Sequence, residues 1–266
     1  MRCEFLNPHP REYGSIHGVG ALTKGNFLMN VKMAVALSLL AVAPVFAGDD
    51  NKNVPELVPV QLQRAFIPVG FDNNDHVQIV VSGEFPDTCH KLGPVTATKV
   101  AGKIEVKQQA YRYGGVCMDM VVPFNQVVDL DLMSTGRYEV KDMASGKSLG
   151  DLPVMAANRP EPDDFPYAPV AEALILEERG GAGPTLYLTG NFPNGSMRIK
   201  DVKVLAYSDV LVVQPIVEKV NGEVDGDARP RFEKKVPLKA LPKGKFLLHV
   251  RSMNGKALNT VEEIEN

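Results

Sequence analysis

Short runs in which apolar and polar residues alternate are the feature that most restricts the fold of this chain. Successive side chains of a β-strand point to opposite faces, so a period of two indicates a strand with one buried face. The clearest runs occupy residues 77–82, 103–108, 136–141, 185–189, 210–215 and 246–251. Turn-forming Gly, Pro, Asn and Asp separate such runs roughly every 8–12 residues, which is typical of a β-sandwich. The pattern predicts an all-β chain.

The sequence also contains two similar halves. Gly83-Glu-Phe-Pro86 matches Gly190-Asn-Phe-Pro193, and Ser145-Gly-Lys147 matches Asn254-Gly-Lys256 at nearly the same spacing. Divergent tandem copies keep such matches with small slips at loops. Each copy is longer than a solenoid repeat. The repeat therefore predicts two tandem Ig-like or fibronectin-like β-sandwich domains.

A proline-rich stretch separates the two halves. Residues 156–169 contain four prolines and three acidic residues. Proline at this density disfavours both helices and strand ladders, so the stretch is interpreted as a semi-rigid linker. The sequence predicts domain 1 over residues 56–155 and domain 2 over residues 170–266. We expect each domain to fold alone.

The N-terminal region predicts export from the cytoplasm. Lys32 supplies positive charge, and residues 33–43 form an apolar run of 11 residues, shorter than the roughly 20 that a membrane span requires. Val45 and Ala47 place small residues at the −3 and −1 positions of a cleavage site between Ala47 and Gly48. Residues 29–47 are therefore interpreted as a signal peptide, with an uncleaved anchor or a short buried helix as the alternative.

Residues 1–28 precede this complete signal and show no periodicity. We interpret them as a mis-assigned extension, upstream of a true start at Met29. The residue after the predicted cut is not cysteine, so no lipid anchor is expected. The mature protein is expected in the periplasm or outside the cell, with no membrane span.

Two cysteines, Cys89 and Cys117, remain in the predicted mature chain. A pair of cysteines in an exported protein is most simply a disulfide. It closes a loop of about 29 residues, worth roughly 3–4 kcal/mol on a chain-entropy estimate. The alternative is a reactive thiol, because His90 follows Cys89 and a Cys–His pair can form a nucleophile.

The first half carries a characteristic set of turn, strand and cysteine residues: Val81-Ser-Gly-Glu-Phe-Pro-Asp-Thr-Cys89, Cys117, Pro123-Phe124 and Gly136-Arg-Tyr138. Over residues 77–140 it resembles a small Cys-paired β-sandwich domain of uncharacterised bacterial secreted proteins and lipoproteins. The resemblance implies an Ig-like fold and export, and it implies no catalytic residues. The second copy has diverged, because Ser196 aligns with Cys89 and Val224 lies near the position of Cys117.

Three polar loops resemble ligand sites in part. Residues 144–148 resemble the end of a phosphate-binding loop, but Lys141 stands where that motif needs glycine. Residues 72–76 and 221–227 are rich in oxygen ligands but lack the spacing of a calcium loop. Turns are the favoured interpretation for all three loops, and calcium at either acidic loop stays open.

A soft copper site is a further alternative, since Met118 and Met120 lie near Cys117 and His90 is available. Methionines that fill a core are commoner, and we expect Met118 and Met120 on one face of an apolar strand over residues 116–122. The scattered histidines do not suggest a zinc site. No metal or cofactor is predicted.

Together these features predict an exported, non-catalytic cell-envelope protein that acts as a binding or structural module. Its expected partner is another envelope protein or a surface polymer. The formal net charge of −3 and the aromatic content of 7% give no basis for binding nucleic acid. The alternative is a secreted inhibitor or accessory subunit of another envelope protein. A hydrolytic enzyme without a recognisable motif is a third hypothesis.

Overall fold

The structure, a computed structural model, describes residues 54–159, 166–177, 183–220 and 228–264. The predicted signal peptide with its Ala47–Gly48 cleavage site, residues 1–28 and the acidic loop at 221–227 lie outside the described residues. Among those residues, no helix has the length and apolar character that a membrane span requires.

The described residues form sixteen strands and one short 3-10 helix, which confirms the predicted all-β fold. The elements are β1 Glu56–Val60, β2 Leu62–Phe66, β3 Phe71–Asp72, β4 Val77–Phe85, β5 His90–Val100, β6 Lys103–Arg112, β7 Val122–Asp131, β8 Gly136–Asp142, β9 Ser148–Met155, β10 Val170–Glu177, β11 Pro184–Asn191, β12 Met197–Tyr207, β13 Val210–Lys219, β14 Arg231–Pro237, β15 Gly244–Ser252, the 3-10 helix Met253–Gly255 and β16 Lys256–Ile264.

The first nine strands form two sheets that pack face to face. One has the order β1-β6-β8-β9-β3, with β5 also paired to β6, and the other has the order β2-β4-β7. The β6–β8 pair is parallel, whereas its neighbours β5–β6 and β8–β9 are antiparallel. Inward-pointing apolar side chains, among them Val81, Ile104 and Val140, are wholly buried between the sheets. This half of the chain is a β-sandwich.

The second half repeats this pairing. Its sheets have the orders β12-β13-β15-β16 and β10-β11-β14, and β13 pairs with β15 in parallel as β6 does with β8. Strands β12 and β13 begin and end 107 residues after β5 and β6 (90 + 107 = 197 and 112 + 107 = 219). Leu188, Leu211 and Val250 lie in a separate second core.

A third apolar cluster joins the two sandwiches. Phe66 and Val80 on the outer face of the β2-β4-β7 sheet pack with Val210, Val212 and Leu247 of the β12-β13-β15-β16 sheet. All five side chains are at most 2% exposed. The sheets therefore stack in four layers, with the shared cluster between the second and third. We call this contact the junction.

The junction bears on the predicted division into two halves. That each half folds alone stays a prediction, and the described residues from Val54 onward belong to one compact unit. The boundaries at residues 56–155, 156–169 and 170–266 stay predictions. The last part of the predicted linker is not a free connector, because Tyr167 is buried and bridges Ile216 of β13.

The sequence of β13 explains why it can lie inside the stack. We predicted alternation over residues 210–215, but residues 210–213 are an uninterrupted apolar run and all four are buried. Such a run is typical of a strand covered on both faces. The equivalent positions of β6 are Lys103 and Glu105, where β13 has Val210 and Val212. The first half therefore keeps a polar outer face where the second half is apolar.

Candidate functional site

The two cysteines of the first sandwich form the predicted disulfide. Cys89, just before β5, is bonded to Cys117 in the β6–β7 connection, with their Cα atoms 5.3 Å apart. A disulfide sulfur is neither a thiolate nucleophile nor a thiolate metal ligand. The bond therefore removes the chemistry that a Cys89–His90 nucleophile and a Cys117 copper ligand would need.

Residues 113–121, between β6 and β7, form an exposed loop around Cys117, which we call the disulfide loop. Val116 is fully exposed, and Met118 and Met120 are 65% and 50% exposed. We predicted an apolar strand over residues 116–122 with both methionines in the core, and this prediction is wrong. Strand β7 begins only at Val122. The loop presents apolar side chains to solvent.

Several contacts fix the disulfide loop to the start of β5. The Met118 amide donates to Oγ1 of Thr88 at 3.0 Å, and the Thr88 amide donates to the Met118 carbonyl at 3.2 Å. The Tyr113 amide donates to the Cys89 carbonyl at 2.9 Å. With the disulfide, these bonds hold the loop on both sides of its apolar tip. A loop ordered in advance loses less entropy when it binds.

An Asp–His pair supports the base of this loop. His90 Nδ1 lies 2.7 Å from Asp87 Oδ1, and the same oxygen accepts the Cys89 amide at 2.8 Å. The hydrogen bond with His90 is the largest influence on Asp87 and holds the pKa of this carboxyl below its usual 3.8. The imidazole stacks on Phe85, which stacks on Phe124 at 4.6 Å between ring centroids. His90 therefore acts as a structural support.

One group of three potential metal ligands occurs among the described residues, namely Asp87, Cys89 and Cys117. Two of its members are bonded to each other.

The loop at residues 144–148 is the predicted turn: Asp142 accepts the Ala144 and Ser145 amides at 3.2 and 3.0 Å.

The acidic loop at residues 72–76 has a different role, which the sequence did not indicate. Asp75 Oδ2 accepts a hydrogen bond from Arg251 Nη1 of β15 at 3.0 Å, so an ion pair crosses the junction. Asp75 and Arg251 are 4% and 6% exposed. Arg251 also lies over the Phe71 ring, 4.9 Å from its centroid, and donates to the Gly70 carbonyl. The Asp75 carboxylate therefore helps to hold the two sandwiches together.

Removal of the disulfide tests how much this bond contributes to the free energy of unfolding. We expect Cys89→Ser combined with Cys117→Ser to lower the free energy of unfolding by about 3 kcal/mol, because the open chain gains entropy when unfolded. Urea denaturation followed by circular dichroism measures the change. Since the sandwiches share a junction, we expect one shifted transition; an unshifted midpoint would contradict the stabilising role.

Residues 79–142 match the family model of the ORF11 beta-sandwich domain. The match runs from within β4 to the end of β8 and includes both cysteines of the disulfide. No curated protein and no solved structure matches the chain. The family match agrees with the sandwich and the disulfide of the first half, and it covers no part of the second.

Proposed function

We propose that this chain is an exported, non-catalytic binding protein that engages another envelope protein through the disulfide loop. The observation that carries the proposal is an apolar tip that is exposed to solvent yet held in place by covalent and hydrogen bonds. Exposed apolar patches often mark interaction sites, and methionine adapts its shape to a partner surface. Export is supported by the predicted signal peptide and by the disulfide, which is typical of oxidising compartments.

A protein suits this loop better than a lipid surface does. Asp119 lies between Met118 and Met120 at the tip, and all three are exposed. Insertion into a bilayer would bury this carboxylate in hydrocarbon, which costs about 2.5–3.5 kcal/mol or more. A protein surface can offer Asp119 a cation or an amide donor while it covers the two methionines.

The two sandwiches have different roles in this proposal. We take them to be tandem copies, because their strand orders correspond and their sequence motifs repeat at a nearly constant spacing. The second copy has Ser196 in place of Cys89 and so lacks the disulfide. It serves to support and orient the first. If the partner is an enzyme and loses activity when bound, the chain is an inhibitor or accessory subunit.

A comparative pull-down tests the disulfide loop. Immobilised wild-type protein is incubated with periplasmic extract beside a Met118→Ser/Met120→Ser variant. We expect the amount of partner retained by the loop variant to fall about tenfold or more, because the variant loses the apolar contact. Its melting temperature should be nearly unchanged, since both side chains are exposed.

The matched control is Leu174→Ser/Leu176→Ser, which removes two exposed apolar side chains from β10. This variant should retain the partner as the wild type does. Equal retention by the loop variant, or equal loss in both variants, would exclude the disulfide loop as the binding site. Substrate turnover without any partner would favour the hydrolytic enzyme instead.

A further inference from the structure

His249 of β15 lies at the junction and is 1% exposed. Its Nδ1 is 2.7 Å from Oδ1 of Asn259 on β16, and its ring packs edge-on against Phe71 of the first half. Asn259 in turn donates from Nδ2 to Oε1 of Gln78 on β4 at 3.0 Å. The imidazole therefore belongs to a chain of polar contacts that crosses from one sandwich to the other.

The surroundings of the ring favour the neutral imidazole. An amide oxygen accepts hydrogen bonds, so Nδ1 carries the proton and Nε2 is left as an unprotonated acceptor. Nε2 is buried and has no hydrogen-bond partner among the described residues. The cavity beside His249 has a volume of about 10 Å³, which leaves room for one water at most. A second proton would therefore create a buried and poorly solvated cation.

The charged neighbours do not compensate for such a cation. Arg251 lies two residues away on the same strand and opposes a second positive charge. Asp75 favours a positive charge on His249, but its carboxylate already accepts a hydrogen bond from Arg251. His76 and Lys256 border the same cavity and bring no negative charge.

We propose that the junction is an acid-sensitive latch, in which protonation of His249 disengages the two sandwiches. Disengagement would uncover the apolar faces around Val80 and Val212 and change how the second sandwich orients the first. The latch is closed while His249 is neutral. The proposal stands apart from the disulfide loop, which lies elsewhere on the first sandwich.

Burial is the main cause that lowers the pKa of His249 from 6.5 to about 4, against a smaller opposing effect of the Asn259 hydrogen bond. A released histidine takes up its proton near pH 6.5, whereas the latched one does so only near pH 4. The stability of the latch is thus complete above pH 6.5, falls as the pH drops from 6.5 to 4, and is constant below. From pH 7.5 to 5 the opening constant should rise about 30-fold.

Thiol labelling of a buried junction position measures this opening. The variant Val80→Cys places a thiol at the junction, and Val81→Cys places one in the core of the first sandwich. Both are labelled with a pyridyl disulfide at pH 7.5 and pH 5, and each rate is divided by that of the exposed variant Val100→Cys, which lies away from the junction at the end of β5. We expect the normalised rate of Val80→Cys to rise about 30-fold in acid, and that of Val81→Cys to rise much less.

The variant His249→Asn removes the titrating group and keeps a donor near Nδ1. In this background the acid response of Val80→Cys should fall below about threefold, whereas His76→Asn should leave it intact. An unchanged response in His249→Asn, or an equal rise at Val81, would overturn the latch. Titration by NMR of the unsubstituted protein is a second test: a His249 pKa below 5 supports the proposal, and one near 6.5 refutes it.

Discussion

Val212→Glu is expected to lower the free energy of unfolding by about 5 kcal/mol. Val212 is wholly buried at the junction, so the variant loses its apolar burial and forces a carboxylate out of water. The carboxylate would have to be protonated or exposed, and separation of the sandwiches is the route to exposure. Urea denaturation measures the loss, and small-angle scattering detects a longer particle.

The chain supplies a matched control for this change. Glu105 occupies the equivalent position of β6 (105 + 107 = 212) and is half-buried on an outer sheet face. Glu105→Val should change the free energy of unfolding by less than about 1 kcal/mol, because it disturbs no core. If the two substitutions had similar effects, the junction would contribute little to stability.

Asp75→Asn is expected to lower the free energy of unfolding by about 4 kcal/mol. The variant keeps the shape of the side chain but leaves the Arg251 guanidinium buried without its carboxylate. Removal of one member of a buried ion pair typically costs about 3–5 kcal/mol, because the remaining charge is not compensated. Chemical denaturation at pH 7.5, where His249 is neutral, separates this effect from that of the latch.

An exposed ion pair of the same protein is the control. Arg137 Nη2 lies 2.7 Å from Asp151 Oδ2, but these side chains are 75% and 45% exposed. Asp151→Asn should therefore leave the free energy of unfolding almost unchanged. A double variant, Asp75→Leu/Arg251→Met, should recover much of the loss seen in Asp75→Asn. A double variant that is less stable than Asp75→Asn would argue against an uncompensated charge.

The disulfide loop shows where a sequence pattern misleads. Residues 116–122 are almost all apolar, and an apolar run normally predicts a buried strand. Here the tether at Cys117 and the bonds to Thr88 keep residues 116–121 out of any sheet, and pairing with β4 starts at Val122. Apolar character alone does not tell burial from an exposed binding tip, since the result depends on which neighbours the fold supplies.

The sequence did not predict the junction, for a related reason. Period-two alternation identifies the two faces of a strand, but it does not tell whether the second face meets water or another sheet. The uninterrupted run at residues 210–213 was the available signal. Arg251 and His249 gave no sign in the sequence that they are buried, because charged and polar residues in a strand normally indicate a solvent-facing side.

The sequence by itself determined what depends on local alternation and on covalent chemistry: the all-β fold, the places of six of the sixteen described strands, the repeated spacing of the two halves and the Cys89–Cys117 bond. Backbone pairing and side-chain direction are local properties, so a short window of sequence carries them. Only the tertiary structure decided that the sandwiches share a junction, that Asp75 pairs with Arg251 across it, and that Met118 and Met120 face solvent. Each of these depends on surfaces brought together from distant parts of the chain, and residue spacing along one strand does not encode such contacts.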